Sequence, residues 1–239
     1  PIAGYLGNEG WNMELELRAG MWHSASEAEY FYERTFPRVK RLVKASESVL
    51  MVEDSGFDSA RLLFAKAEER DVWAAEGRVL EFICKWNPRK QDKHAWVAQA
   101  EAAGVFQETR PGKHVGLLDI SVERAWRKEK RSFRLIVEVT ERTIDKTGQH
   151  LLVPDIQLAG WTRLGLPAKE VIEHYRYHGT HKHFHSEIKS DLDLERLPSG
   201  KFDTNAAILH LGAFACNCLH LLGQLDLTGE IAPICNPAK

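Results

Sequence analysis

What this chain lacks narrows the field before any motif is considered. Its four cysteines, Cys84, Cys216, Cys218 and Cys235, include no CxxC pair, and no signal segment precedes them. Reduced thiols in a cytoplasm are therefore expected. Cys216 and Cys218 fall in an expected helix, where residues two apart face different ways, and both read as small core residues. Charge of one sign is missing too: 32 Lys and Arg meet 34 Asp and Glu, giving a net charge of −2. The molecule as a whole is not an evident polyanion binder, so any nucleic-acid surface has to be local. The stretch from Ala206 to Leu222 is apolar but broken by His210, Asn217 and His220. It falls short of the roughly 20 apolar residues a membrane span needs, so a buried core helix is expected and no membrane partner. There is no internal repeat, low-complexity tract or targeting segment. The chain opens at Pro1 directly into PIAGYLG, as a cut into a longer polypeptide would.

What is present is an ordinary globular composition, 44% hydrophobic and 28% charged, enough for one sizeable domain or one domain carrying an insertion. Met13, Leu15 and Leu17 alternate with polar residues as in a half-buried strand. Residues 27–44 have helical periodicity, with Ser24 or Ser26 as cap. SVLMVE at 48–53 predicts a short apolar strand ending at Asp54-Ser55-Gly56-Phe57. A helix over 59–70 and a strand over 79–84 complete an α/β rhythm. From Lys85 to Pro154 the chain turns strand-like, with a turn at Asp145-Lys146-Thr147-Gly148 and with Phe133, Leu135, Val137 and Val139 on one strand face. This reads as a β-rich insertion. Pro167 then starts a long helix reaching about Asp191. A Pro198-Ser199-Gly200 turn leads into a final helix capped by Asp203 or Thr204.

Several constellations bear on chemistry. Asp54 stands at the C-terminal end of a buried strand with Gly56 opening the turn, where open α/β sheets place functional groups and where a hard cation finds oxygen. An ordinary turn aspartate has the same signature. On the long helix, Tyr175, His178, Lys182 and Lys189 fall within about 60° of one another. Tyr177, Phe184 and Ile188 form a separate apolar stripe suited to packing on the sheet. Gly179 inside that helix costs about 1 kcal/mol relative to Ala and suggests close backbone approach. His174, His178, His181 and His185 offer a rival pattern, zinc ligands at i, i+4, of which one ion takes only a pair such as His181 and His185. Two basic stretches interleave aromatics. One runs from Lys85 through Trp86, Arg89 and Lys90 to Lys93 and Trp96. The other spans 124–134 and holds Trp126, Arg127, Lys128, Lys130, Arg131 and Phe133. Cations neutralise phosphates and exposed rings stack on bases, although a solvated hairpin carries the same letters.

Taken together, these residues resemble the DDE transposases of bacterial insertion sequences, in the branch whose RNase H-like core holds an inserted β-rich domain. The markers are PIAGYLGNEG with Leu17-Arg18-Ala19-Gly20, then Asp54-Ser55-Gly56-Phe57-Asp58-Ser59, then Lys85-Trp86-Asn87-Pro88-Arg89. The last runs from His178-Gly179-Thr180 through FHSEIKSDLDLERLPSGKF to Asn205. The resemblance covers nearly the whole chain. It implies an α/β fold: an RNase H-like mixed sheet flanked by helices, with residues 1–84 and 156–239 as core and 85–155 as insertion.

It also implies DNA transposition by two-metal phosphodiester chemistry, with Mg²⁺ (or Mn²⁺) held by three carboxylates. The partners are then insertion-sequence ends and target DNA, engaged by a homodimer. Asp54 matches the second carboxylate. The family's helix motif is Tyr, two residues, Arg, three residues, Glu, six residues, Lys. Tyr175 and Lys189 match, His178 stands at the Arg position, and Lys182 stands where the catalytic Glu belongs. The first Asp falls on a strand upstream of Pro1. An ammonium at 182 repels a divalent cation, and Glu187 lies five residues on and about 140° around the helix. Impaired cleavage is therefore expected. Tyr175, His178, Lys189, Arg89, Arg127 and Lys130 are left as candidate DNA contacts, and the alternative is a non-catalytic DNA-binding remnant.

Overall fold

Alternating hydrophobicity and turn chemistry place most of the strands. The computed structural model describes residues 1–7, 9–163, 167–177, 179, 184, 186–191, 193 and 196–228. His178 and Lys182, with His181 and His185, lie outside them. The described chain is α/β and packs as two compact units, Pro1–Glu47 with Arg176–Lys239, and Ser48–Tyr175. The boundaries expected from sequence were 84/85 and 155/156.

In the first unit, β1 (Ile2–Leu6) and β2 (Trp11–Glu16) form an antiparallel hairpin. α1 (Ala28–Leu42) buries Phe31, Tyr32, Phe36 and Val39. Arg34 and Arg38 of α1 pair with Glu14 of β2, and Arg34 also reaches Glu16. The expected serine cap is replaced by Glu27 in a left-handed conformation, with no side-chain cap bond. A π turn at Glu187–Asp191 and the 21-residue helix α5 (Phe202–Leu222) complete the unit. Lys201 rather than Asp203 or Thr204 caps α5, again without a side-chain bond.

α5 is long and apolar enough to cross a membrane by length and composition alone, in a segment running to Asp226. It was expected as a buried core helix, but only one stripe is buried: Leu209, Ala213, Cys216 and His220, at helical spacing. Leu211, Phe214 and Cys218 are exposed, because a single helix face meets the core formed with Leu15 and Ile188. Asn217, which breaks the apolar run, has a structural reason. Its amide accepts from the Asn12 N–H (2.8 Å) and donates to the Asn12 carbonyl (2.9 Å), satisfying both backbone groups of a strand residue.

In the second unit, six strands run in the order β3-β4-β8-β7-β6-β5. β3 (Ser48–Glu53) and β4 (Val79–Trp86) are parallel and joined by α2 (Ala60–Ala75). β5 (Gln107–Arg110), β6 (Lys113–Trp126), β7 (Glu129–Ile144) and β8 (His150–Arg163) follow as an antiparallel series. The strands expected as an insertion belong to the same sheet, because β8 pairs with β4 at Cys84–Trp86. Gly160 permits this join: a Cβ there would lie 2.7 Å from the Trp86 ring. α3 (Lys93–Ala102), capped by the Asp92 carboxylate, was not anticipated.

Strand alternation sends Phe82, Cys84 and Phe133 to one sheet face against Leu63, Phe64 and Ala67 of α2. Leu135, Val137 and Val139 share that strand face and pack with Val97 and Ala100 of α3. The opposite face, with Ile83, Ile136 and Trp161, receives Val171, Ile172 and Tyr175 of α4 (Ala168–Tyr177).

Candidate functional site

β3 ends because Asp54, still extended, hands the chain to a 3-10 turn at Ser55–Phe57, closed by the Phe57 N–H on the Asp54 carbonyl (3.0 Å). Ser59 then caps α2 by accepting from the Leu62 N–H (3.3 Å). This leaves the Asp54 side chain exposed at the C-terminal end of the parallel pair. There it accepts a hydrogen bond from the Tyr175 hydroxyl at 2.8 Å, across 121 residues of sequence. The Tyr175 ring packs against Trp161, centroids 5.8 Å apart, and the Lys85 ammonium lies 5.7 Å from the ring centre. Burial first, and then the bond to Asp54, push the Tyr175 phenol well above its ordinary value, so it stays a neutral donor.

The neighbouring carboxylates are committed elsewhere. Glu53, one residue earlier and so on the other face, is buried against Lys66 of α2. Asp58 is also buried. Its carboxylate accepts from the Asn87 N–H (2.9 Å), and its carbonyl accepts from the Arg89 guanidinium (2.5 Å). Arg89, in the turn after β4 and in a left-handed conformation, is thereby tied to the segment between β3 and α2 while its side chain stays more than half exposed.

The aromatic residues of both basic stretches face the core. Trp86 is buried with Trp96 at its edge (5.3 Å), and Phe133 is buried with Trp126 packed on the same cluster. Base stacking by these rings has no geometric support, because strand alternation points Trp86, Trp126 and Phe133 at α2 and α3, and Trp96 packs from α3 onto Trp86. The cations remain outside. Lys130 pairs with Glu123 at 2.8 Å, and Arg131 pairs with Asp71 at 3.3 Å while lying over Phe64. Arg127 and Lys128 are exposed at the β6–β7 tip, Arg127 with φ of 54°.

On the long-helix segment, Tyr177 is exposed while Phe184 and Ile188 are buried, so the expected apolar stripe holds only in part. Among the described residues, an added Cβ at Gly179 meets nothing within 4 Å, which gives no support to close backbone approach there. Lys189 is exposed in the first unit, and His174 is exposed on α4.

The geometry thus joins Asp54, Tyr175 and Lys85. It does not assemble a two-metal site from the described residues. Among them, the one group of three or more metal-ligating side chains is elsewhere, in the first unit: Glu187, Cys216 and His220, all buried. The residues present at Asp54 do not fit a pair of Mg²⁺ ions, which need several converging oxygens. Sequence reasoning missed the Glu187 cluster. Its visible signal was the i, i+4 spacing of Cys216 and His220, obscured because the third member lies 29 residues away from Cys216 and was read only as a failed substitute for a catalytic Glu. No protein-family model matches this chain, and no curated protein matches it.

Proposed function

We propose that this chain is the RNase H-like core of a DDE-type DNA transposase, in which metal-dependent strand cleavage is impaired while contact with DNA persists. The observation that carries the reading is the Tyr175–Asp54 hydrogen bond (2.8 Å). It unites the tyrosine of the resembled helix motif with the residue matched to the second catalytic carboxylate. The surrounding topology supports it. Asp54 follows a strand of a parallel pair, and among the described strands β3 is the edge of its sheet. Impairment rests on chemistry. In the resembled motif Lys182 occupies the sequence position of an oxygen ligand, and Glu53 and Asp58 are held in buried contacts. DNA is proposed as the partner through exposed cations at the β6–β7 tip and along the signature segment.

The test is a nicking assay on supercoiled DNA with Mg²⁺ or Mn²⁺, run beside Asp54→Ala, together with duplex binding in EDTA. The expected result is no Asp54-dependent cleavage and binding that survives chelation. Cleavage abolished by Asp54→Ala would overturn the impairment. Absence of DNA binding at low salt would overturn the assignment itself.

A further inference from the structure

The cluster in the first unit has the chemistry of a metal centre unrelated to the carboxylate site. Cys216 and His220 stand one turn apart on α5, so their side chains overlie each other on the buried stripe. Glu187 reaches them from the π turn at Glu187–Asp191. The His220 Nε2 lies 3.3 Å from Glu187 Oε2 and 3.8 Å from Cys216 Sγ. All three donor atoms fall within 4.8 Å of one another.

A tetrahedral zinc ion, with its usual bond lengths to sulfur, nitrogen and oxygen, separates N and O donors by about 3.3 Å and S and N donors by about 3.6 Å. The observed spacings are close to these before any ion has drawn the ligands in. Among the described residues, buried His220 Nδ1 has no hydrogen-bond partner, and the ring's polar contacts, through Nε2, go to Glu187 and Cys216. Around it lie Trp11 and Phe184, edge-on to the imidazole, with Leu209 and Ile188 in the adjoining core.

Charge favours occupancy. A carboxylate buried beside a thiol and an imidazole is costly to desolvate. A dication bound by one thiolate, one carboxylate and a neutral imidazole makes a site of zero net charge, releasing the thiol proton to solvent. Sulfur and nitrogen donors select zinc over Mg²⁺ or Ca²⁺, which take oxygen.

We propose that Glu187, Cys216 and His220 bind one zinc ion, which fastens α5 to the Glu187–Asp191 turn and leaves a fourth position to water. The experiment uses the whole chain, purified without chelator from zinc-supplemented medium. Metal content is measured for the wild type, Cys216→Ser, His220→Gln and the control Cys218→Ser, whose thiol is exposed two residues away. One zinc per chain is expected in wild type and control, and none in the other two.

Cobalt substitution gives an independent readout in the wild type, should either variant fail to fold. A tetrahedral cobalt spectrum with a sulfur-to-cobalt charge-transfer band is expected, with a higher thermal midpoint for the metal-loaded protein. Wild-type protein without stoichiometric zinc would overturn the proposal. So would bound cobalt lacking the sulfur band, which would place the metal on histidines alone, or a sulfur band that persists in folded Cys216→Ser.

Discussion

Lys66 is the residue whose letter and position disagree most: a lysine fully buried in α2, 1% exposed, paired with the buried Glu53 of β3. Burial, the largest influence, favours its neutral amine. Cys84 and Glu53 together outweigh it and hold the ammonium above its ordinary value. Cys84 is itself pushed up to about 12, chiefly by burial, so at neutral pH it is an uncharged thiol and Glu53 is the partner that matters. Removing one member of such a pair strands the other. Lys66→Met is expected to destabilise the fold by about 3–5 kcal/mol, whereas Lys66→Met combined with Glu53→Leu is expected to restore most of it. A folded pKa raised above the unfolded value stabilises fully below the latter and is lost as pH rises through the folded value. Urea midpoints should therefore show the wild type losing stability above about pH 10.5 by an amount the double variant does not. Equal stability of Lys66→Met and wild type at pH 7 would refute the pairing. This pair also explains why Asp54, the next residue, is available: alternation sends Glu53 inward and leaves Asp54 outside.

Among the elements, the join of β4 to β8 does most to define the sheet, and Gly160 sits at its tightest point. A methyl there meets the Trp86 ring at 2.7 Å and the Ile136 carbonyl at 3.2 Å. Gly160→Ala is expected to cost about 1–3 kcal/mol by overpacking, and Gly160→Val more. Thermal unfolding of the pair measures this, and an unchanged midpoint for valine would contradict the packing. The same join shows what the sequence left unread. Two strands of the series were legible, β6 in VGLLDISV and β7 where Phe133, Leu135, Val137 and Val139 alternate cleanly, whereas β5 and β8 were not read as separate strands. Their membership of the β3–β4 sheet was not legible, because among the described residues three pairs, Cys84–Thr162 to Trp86–Gly160, make it, and nothing local marks long-range pairing. α3 was missed because few of its residues are buried, Val97 and Ala100 with Trp96 alongside, so it carries almost no periodic signal. At the candidate site, Asp54 and Tyr175 were both singled out from sequence, and the hydrogen bond between them is a product of tertiary structure. The inward turn of Trp86 and Phe133 was visible in strand alternation but outweighed by the neighbouring basic residues.

For the molecule as a whole, a net charge of −2 sets the terms on which any DNA contact works. An acidic average supplies no long-range attraction, so binding has to come from local cations that internal carboxylates do not neutralise. Lys130 and Arg131 are partly spent on Glu123 and Asp71. Among the described residues, no carboxylate pairs with Arg127 or Lys128 at the exposed hairpin tip. Arg127 already adopts a left-handed conformation, φ 54°, in which glycine carries no steric penalty. Arg127→Gly with Lys128→Gln therefore removes two cations without straining the turn, and its unfolding midpoint should match or exceed that of the wild type. Each phosphate contact contributes about 0.9 to the slope of log affinity against log salt. If both side chains grip the backbone, the variant's slope should be shallower by about 1.8, and its affinity lower at every salt concentration below the crossing point. Fluorescence anisotropy with a duplex of arbitrary sequence, across a salt series in EDTA, measures this directly. An unchanged slope would remove the hairpin tip from the interface and leave Lys189 and the signature segment as the surface to test next.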